Sequence, residues 1–317
     1  MRVLVALGGN AMTAADGSAS PQAQIEAVRE AMEPVADLVA SGHEVVLTHG
    51  NGPQVGNLLV KNELAAAVVP PVPLDWCGAQ TQATIGFVVL NALEVALRRR
   101  GLRRPAAALV TRTRVDGADP GFTTPTKPIG RYLTVDEAQV LVGHGQTWQD
   151  RGERGWRRVV ASPEPLEILD AEPARALVDS GYVVVAGGGG GIPCIVEPDG
   201  SIRGVEAVID KDLSAALLGR ALQVDVLVIA TDVEAVATGF GSPNQRSLGA
   251  VDVAELRALA EAGEFASGSM GPKVEAVCRF VESGGSRAAI CNLHQIAAAA
   301  AGEAGTVVQP TAATSEE

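Results

Sequence analysis

The sequence predicts an α/β fold in which helices cover both faces of a mostly parallel β-sheet. Short runs rich in β-branched residues alternate with longer amphipathic segments along the chain. These runs are apolar throughout, which is typical of parallel strands that are buried on both faces. A chain of 317 residues with 47% hydrophobic residues is long enough for one large α/β unit or two small domains.

Six apolar runs are predicted to be the strands of this sheet: residues 3–7, 44–48, 106–110, 182–186, 224–230 and 288–290. The clearest helix, over residues 22–40, lies between the first two runs. Its apolar residues recur every three or four positions, as on one face of a helix: Ile25, Val28, Met32, Val35 and Val39. Ser20 and Pro21 suit the start of this helix, and Gly42 suits its end.

Two further helices and one irregular segment complete the predicted order. Helical patterns cover residues 213–222 and 272–283, and the second pattern has Pro272 in its first turn. Residues 111–158 are polar, rich in proline and glycine, and break the alternation of strands and helices. We therefore expect this segment to protrude as a subdomain that could serve as a lid. Residues 310–317 are expected to be a frayed tail.

Charge and cysteine usage narrow the class of protein. The net charge of −12 disfavours general binding to nucleic acid and to anionic membranes. The longest apolar stretch, residues 85–97, is too short and too polar to span a bilayer. Cysteines 77, 194, 278 and 291 show no metal-binding spacing, so we expect reduced thiols in the core of a cytoplasmic protein.

Three glycine-rich loops directly follow predicted strands. They are Gly8-Gly9-Asn10-Ala11, His49-Gly50-Asn51-Gly52-Pro53 and the five glycines 187–191. One such loop could be an ordinary turn, but the carboxyl ends of parallel strands meet at one edge of a sheet. Glycines there let backbone N–H groups approach an anion closely, so we expect a phosphate or oxyanion cradle. The loops match neither the Walker A nor the dinucleotide-binding pattern.

Lysine is rare in this chain. Only four of the 25 basic residues are lysines, and the rest are arginines: the lysines are Lys61, Lys127, Lys211 and Lys273. A lysine is a compact charge that can reach a phosphate through a narrow space, whereas the arginine fork needs more room. Lys61 lies in an ordinary helical run and is interpreted as a solvated side chain. The other three lie among Gly, Pro and Asp and are candidates for anion binding, with a solvated role as the alternative.

Two of these lysines lie where predicted helices begin. Lys273 is in the first turn of the helix that contains Pro272, and Lys211 precedes the helix over residues 213–222. A cation at the positive end of a helix dipole is unfavourable by about 0.3–1 kcal/mol unless an anion lies between them. The placement therefore favours anion binding by Lys211 and Lys273.

Aspartates flank Lys211 and follow the fifth strand. Asp210 and Asp212 are either helix caps or, for Asp212, a carboxylate that orients two lysine ammonium groups. Asp232 lies near the expected site but could simply cap a turn. His49 could line the site or play a structural role. Lysines and glycine loops with no evident general base suit phosphoryl transfer to an acceptor that is already an anion.

These motifs resemble those of the carbamate kinases of the amino acid kinase family, in the family's order and over residues 6 to about 308. The matching blocks are ALGGNA (6–11), THGNGPQVG (48–56), PLDWCGA (73–79), PTKPIG (125–130), RRVVASPEP (157–165), GGGGIP (188–193), GVEAVIDKD (204–212) and GSMGPKVEA (268–276). The resemblance implies a three-layer αβα sandwich around an open sheet. Residues 1–222 would bind carbamoyl phosphate or carbamate, and residues 223–309 would bind ADP or ATP with Mg²⁺.

The resemblance also implies a role for individual residues. The catalytic group would be Lys127, Lys211, Asp212 and Lys273, with Asp212 organising the lysines and Lys127 reaching over the substrate. The substrate would contact Gly8, Gly9, Asn10, Gly50, Asn51, Gly52 and Lys127. The nucleotide would contact Lys211, Thr231, Asp232, Met270 and Lys273. A cytoplasmic homodimer acting in arginine or other carbamoyl phosphate catabolism is implied as well.

Two positions depart from the family's usual residues. Ala237 stands where a tyrosine is usual, which predicts looser packing around the adenine. Residues 80–83, Gln-Thr-Gln-Ala, replace the usual Met-Ser-Gln-Gly at the acceptor end or the subunit contact. Two alternatives stay open: another phosphotransferase of the family acting on a different carboxylate or phosphate, and a silent nucleotide-binding regulator.

Overall fold

An eight-stranded sheet forms the middle layer of the protein. The computed structural model describes residues 1–12, 20–65, 68–143, 145–266 and 268–311, and at Asn10 and Ala11 it describes the backbone alone. Elements are numbered along the chain. From edge to edge the sheet contains β15 (Ala250–Asp252), β17 (Thr306–Gln309), β16 (Arg287–Asn292), β12 (Val226–Thr231), β1 (Arg2–Leu7), β2 (Glu44–His49), β9 (Val183–Val185) and β3 (Ala106–Ala108).

The six predicted strands all lie in this sheet and run parallel, as expected. Their bounds differ from the prediction by up to two residues. The sequence did not predict β15 and β17, which run in the opposite direction at one edge, where β17 pairs antiparallel with β16. These two strands are short, and neither contains the long apolar run that marks the central strands.

Helices cover both faces of the sheet, which confirms the predicted three-layer α/β architecture. One face carries α1 (Pro21–Ala40), α3 (Leu74–Arg99) and α9 (Ile296–Ala301); the other carries α5 (Ala171–Asp179), α6 (Lys211–Ala221), α7 (Val253–Glu261) and α8 (Met270–Glu282). Alternate residues of each strand point to opposite faces. In β1, Val3 and Val5 pack under the first group of helices, and Leu4 and Ala6 pack under the second.

Helix α1 shows how local sequence sets an element's start. The Ser20 side chain caps the helix by accepting a hydrogen bond from the Ala23 N–H at 3.2 Å, and Pro21 is the first helical residue. The predicted apolar stripe is the buried face, except that Ile25 is exposed.

A second sheet and a hairpin lie beside the main sheet. The second sheet contains, in order, β11 (Ile202–Gly204), β10 (Ile192–Val196), β4 (Arg112–Arg114) and β8 (Glu167–Ile168). The hairpin pairs β13 (Ala237–Thr238) with β14 (Arg246–Ser247). Ala237, one of the two departures from the usual family residues, therefore lies in this hairpin and is half-buried.

The segment 111–158 divides between two structures. Its first strand, β4, belongs to the second sheet, while a separate three-stranded sheet contains β5 (Lys127–Leu133), β7 (Trp156–Val160) and β6 (Trp148–Asp150), with α4 (Val135–Val142) beside it. Ile129 and Val160 of this sheet pack against α3 and α2 (Gly52–Ala65) in a small apolar cluster. Movement of this subdomain stays a prediction.

The four cysteines are buried and unbridged, which confirms the expected packing of free thiols. No helix in the described part of the chain combines the length and apolar character needed to cross a membrane. Of the expected tail, residues 312–317 lie outside the described residues.

Candidate functional site

A cleft of about 1430 Å³ opens at the carboxyl ends of the central strands. The residues that follow β1, β2 and β12 all line it, as expected for a parallel sheet. Eleven of the predicted site residues are among its lining residues: Gly8, Gly9, Gly50, Asn51, Gly52, Lys127, Lys211, Asp212, Thr231, Asp232 and Lys273. The structure thus brings together residues up to 265 positions apart in sequence.

Asp212 is the centre of the charged group in this cleft. It lies in the first turn of α6 and is only 3% exposed. Its Oδ1 accepts a hydrogen bond from Lys211 Nζ at 2.5 Å, and its Oδ2 accepts one from Lys273 Nζ at 2.9 Å. One carboxylate therefore joins two lysines that come from different helices, α6 and α8.

The electrostatics of this trio follow from burial and proximity. Burial alone would raise the pKa of Asp212, but the ammonium groups of Lys211 and Lys273 outweigh it and hold that pKa below its ordinary value. Burial is also the largest influence on Lys211, whose pKa is lowered, with Lys273 adding to the effect and Asp212 opposing it. Two ammoniums on one carboxylate leave a net positive charge that faces the cleft.

Both lysines lie at helix N-termini, as predicted. Lys211 is the first residue of α6, and Lys273 is the fourth residue of α8, which begins two residues before Pro272. The positive ends of two helix dipoles therefore add to the charge of two lysines. This is a favourable place for an anion such as a phosphoryl group.

Asp210, and not Asp212, is the N-cap of α6. Its Oδ1 accepts hydrogen bonds from the backbone N–H groups of Asp212 at 3.0 Å and Leu213 at 3.3 Å. Its Oδ2 lies 3.3 Å from Lys127 Nζ, which comes from β5 of the subdomain. Of the two roles considered for Asp212 from the sequence, the structure supports the organising one.

The first two glycine loops approach each other closely. A Cβ atom on Gly50 would lie 3.3 Å from the Gly9 nitrogen and 3.4 Å from Cδ of Lys211. A larger residue at position 50 would push either the first loop or the Lys211 stem. Glycine is therefore needed here for close packing around the lysine that lines the cleft.

The third glycine run contributes less to the cleft than expected, because only Gly189 lines it. The remaining glycines of the run pack closely against neighbouring side chains and backbone. A Cβ atom on Gly188 would lie 2.5 Å from the His49 ring, and one on Gly191 would lie 1.9 Å from Thr113 Oγ1. The run mainly allows β9 to turn closely past β2 and β4.

Met270 also differs from its predicted place. It is half-buried against the apolar cluster under α6 to α8, and it is not among the described residues that line the cleft. An apolar side chain at the start of α8 gains more from this burial than from a charged cleft. Its neighbours Ser269 and Lys273 do line the cleft. The side chain of Asn10, the other predicted site residue, lies outside the described residues.

Residues 80–83, which depart from the family's usual pattern, divide between two environments. Thr81 and Gln82 are buried; Thr81 Oγ1 accepts a hydrogen bond from Asn51 Nδ2 at 2.9 Å, which orients a predicted substrate residue. Threonine keeps the hydroxyl of the usual serine at this position. Gln80 and Ala83 are exposed on the outer face of α3.

Of the two roles considered for His49, lining the site or supporting the structure, its position favours the structural one. It is 2% exposed, lies outside the cleft lining, and its Nδ1 is 2.9 Å from the Gly50 carbonyl oxygen. Burial lowers the pKa of His49 to about 4, although the hydrogen bond to Gly50 opposes the shift. The ring is therefore neutral at pH 7, with Nδ1 donating to the carbonyl.

This depressed pKa predicts a loss of stability in mild acid. The unfolded chain binds the His49 proton near pH 6.5 and the folded chain only near pH 4, so protonation favours unfolding in this range. We expect the contribution of His49 to be complete above pH 6.5 and to fall by about 3 kcal/mol as the pH approaches 4. Histidine NMR titration of the folded protein checks this: a His49 pKa near 6.5 would contradict it.

Some cleft residues escaped the sequence analysis. They are polar residues at the start of α1, including its N-cap Ser20 and the helical residues Gln22 and Glu26, and residues 292–294 at the end of β16 and directly after it. Asn292 could have been found, because it follows a predicted strand just as Gly8 and Gly50 do. The α1 face gave no signal, since its polar residues are those of any solvated helix.

Comparisons of the sequence with known proteins agree on one family. The sequence profile described as the amino acid kinase family matches residues 1–292. The chain is 43% identical to carbamate kinase of Pyrococcus furiosus over 312 residues, covering 98% of this chain and 99% of that protein. It is 44% identical to the carbamate kinase-like protein YqeA of Escherichia coli over 311 residues, covering 97% and 98%.

Solved structures agree with the sequence comparison. The structure of carbamate kinase from Giardia lamblia bound to AMP-PNP superimposes with a TM-score of 0.93 at 39% identity, covering 98% of each chain. A protein from Aeropyrum pernix superimposes with a TM-score of 0.93 at 40% identity, covering 98% of this chain and all of that one.

Proposed function

The chain belongs to the amino acid kinase family, and we propose that it is a carbamate kinase that transfers a phosphoryl group between carbamoyl phosphate and ADP. A terminal oxygen of ADP attacks the phosphorus, the bond from phosphorus to the carbamate oxygen breaks, and carbamate leaves with ATP formed. The observation that carries the proposal is the buried carboxylate of Asp212, which holds both Lys211 and Lys273 at the cleft.

The residues of the cleft suit this chemistry. Carbamate leaves as an oxyanion and ADP attacks as an oxyanion, so neither step needs a general base. What the reaction needs is alignment of two anions and stabilisation of the charge that spreads over the transferred group. Lys211, Lys273 and the N-termini of α6 and α8 supply that stabilisation, and the glycine loops after β1 and β2 line the cleft without side chains that would block a close approach of the substrate.

The two ends of the cleft would take different ligands. We assign carbamoyl phosphate to Gly8, Gly9, Asn10, Gly50, Asn51, Gly52 and Lys127. We assign the nucleotide to Thr231 and Asp232 after β12, with Lys211 and Lys273 between the two ligands. Thr231 Oγ1 donates a hydrogen bond to Asp232 Oδ1 at 3.0 Å, which fixes this carboxylate at the strand end. Met270 stays a proposed nucleotide contact, with its side chain half-buried against the apolar cluster beside α6 and α8.

Mg²⁺ would accompany the nucleotide. In the part of the chain that the structure describes, no group of three or more His, Cys, Asp or Glu is arranged to hold a metal ion. A magnesium ion that is bound with a nucleotide takes most of its ligands from phosphate and water. We assign Asp232 to the hydrated ion because it lines the cleft directly after β12, at the end proposed for the nucleotide. When bound, the ion would neutralise nucleotide charge.

The outer face of α3 supports a homodimer. Trp76 and Phe87 are 61% and 64% exposed, and they are 11 positions apart, which is close to three helical turns. They therefore lie on one face, with the exposed Gln80 and Ala83 between them. Exposed aromatic residues on one face are typical of a protein interface. We propose that this face pairs with the same face of a second copy. We also propose that the protein acts in the cytoplasm, in the catabolism of arginine or of carbamoyl phosphate from other sources.

Purified protein incubated with carbamoyl phosphate, ADP and Mg²⁺ should form ATP, and parallel reactions with other acyl phosphates test substrate choice. ATP formation fastest with carbamoyl phosphate supports the proposal. Faster formation with another acyl phosphate would identify a related phosphotransferase instead. Binding of ADP without turnover on any donor would identify a nucleotide-binding regulator.

The subdomain carrying Lys127 provides a separate prediction. If it closes over the substrate, Lys127→Ala should raise the KM for carbamoyl phosphate about tenfold or lower turnover, because a cation near the substrate is lost. The affinity for ADP should stay nearly unchanged. Carbamoyl phosphate should also slow hydrogen exchange in residues 111–158. Equal exchange rates with and without this ligand would show that the segment is a rigid insertion.

A further inference from the structure

The carboxylate of Asp210 makes two different contacts, one through each oxygen. Oδ1 accepts two backbone hydrogen bonds at the start of α6, from Asp212 at 3.0 Å and Leu213 at 3.3 Å. Because these bonds fix the orientation of the carboxylate, the direction of Oδ2 is fixed as well. Oδ2 is the atom that contacts Lys127 Nζ, at 3.3 Å. Helix capping therefore presents one oxygen to the subdomain lysine.

This contact joins two parts of the protein across the cleft. Lys127 is the first residue of β5 in the subdomain sheet, whereas Asp210 directly precedes the two catalytic residues of α6. Both side chains line the cleft. Among the described residues, Asp210 is the carboxylate in ion-pair range of Lys127.

Lys127 needs such a partner to stay at the cleft. Its side chain is 37% exposed, and its long stem has many rotamers that would carry the ammonium into solvent. Two further ion pairs join the three-stranded subdomain sheet to the body, Arg131 with Glu63 and Arg158 with Glu206, and neither includes Lys127.

We propose that Asp210 is a positioning residue that holds the Lys127 ammonium at the wall of the cleft, beside the site of Lys211 and Lys273. An arriving anionic substrate then meets a third cation that is already in place. Asp210 acts through Lys127 and does not itself touch the substrate. The consequence for kinetics rests on the proposed carbamate kinase function, but the contact itself can be tested without it.

Asp210→Asn separates the two contacts. Asparagine is as good an N-cap as aspartate, so its single carbonyl oxygen can keep the backbone bonds, while the anionic oxygen facing Lys127 is lost. The matched control is Asp252→Asn: Asp252 caps α7 by accepting from the Glu255 N–H at 2.8 Å, and it does not line the cleft. Asp210→Ser, which also keeps a cap, guards against an effect peculiar to asparagine.

Competitive labelling of lysines with an amine-reactive reagent reads the contact directly, because the chain has only four lysines. In Asp210→Asn and Asp210→Ser, the labelling rate of Lys127 should rise about fivefold. The rate at the exposed Lys61 should not change, and Asp252→Asn should behave like the wild type. An unchanged rate at Lys127 in both Asp210 variants would overturn the proposal.

A double-mutant cycle with Lys127→Met tests whether the effect of Asp210 on substrate binding depends on Lys127. Asp210→Asn alone should raise the KM for carbamoyl phosphate about fivefold and leave the KM for ADP unchanged. In the Lys127→Met background it should add nothing, because the residue through which it acts is gone. An equal effect in both backgrounds would show that Asp210 acts only as a cap, and would overturn the proposal. A wild type that makes no ATP would refute the proposed function, while the labelling result would still decide the role of Asp210.

Discussion

Replacing Lys273 or Lys211 by methionine is expected to lower turnover by a factor of at least about 100. Each lysine places a positive charge where the transferred group develops negative charge, and removal of one such positioned group typically costs about 2.7–4 kcal/mol of barrier. The effect should fall on kcat, since the charge is needed most in the transition state. Methionine keeps most of the apolar stem, so packing changes little.

Folding should survive either substitution. Asp212 contacts both lysines, so each variant leaves one ammonium to balance the buried carboxylate. In Lys273→Met, the positive end of α8 also loses a repelling charge. Thermal unfolding and steady-state kinetics measure the two effects separately, and Lys61→Met is the control at an exposed position. Wild-type turnover in either cleft variant would refute the assigned role of these lysines.

The second large effect is expected for Asp212→Asn, with turnover again lowered at least about 100-fold. The neutral amide cannot offset the repulsion between the ammonium groups of Lys211 and Lys273. Its NH₂ group would also face a lysine ammonium, and since both groups are hydrogen-bond donors, no bond can form there. Both lysines should therefore move from the positions that the carboxylate gives them.

Stability should fall in this variant as well. Loss of a buried, hydrogen-bonded acceptor leaves donors unsatisfied at a cost of about 1–3 kcal/mol. Added inorganic phosphate should raise the melting temperature of Asp212→Asn more than that of the wild type, since the anion replaces the missing charge. Near-normal turnover in Asp212→Asn would mean that the carboxylate does not organise the lysines.

The parts of this fold that the sequence predicted are those set by local pattern. The central strands could be found because strands buried on both faces consist of apolar residues, and the glycines at positions 8 and 50 could be found because they follow such strands. The rarity of lysine singled out Lys127, Lys211 and Lys273 without any structure. Each of these signals is carried by a few neighbouring residues or by composition.

What the sequence could not predict depends on contacts between distant segments. The pairing of β17 with β16 and the contact between Asp210 and Lys127 are properties of the packed chain. The sequence also did not show that Met270 is half-buried against an apolar cluster while its neighbours Ser269 and Lys273 line the cleft. The same glycine pattern lines the cleft after β2 and packs against His49 after β9.

The most direct test of the account follows phosphorus through the reaction by ³¹P NMR, with carbamoyl phosphate, ADP and Mg²⁺ added to the wild type and to Asp212→Asn in parallel. In the wild-type sample, the carbamoyl phosphate resonance should decay as the γ-phosphate resonance of ATP grows by the same amount. The variant should show no ATP on that timescale. Decay to inorganic phosphate without ATP in the wild-type sample, or equal ATP formation in the two samples, would contradict the account.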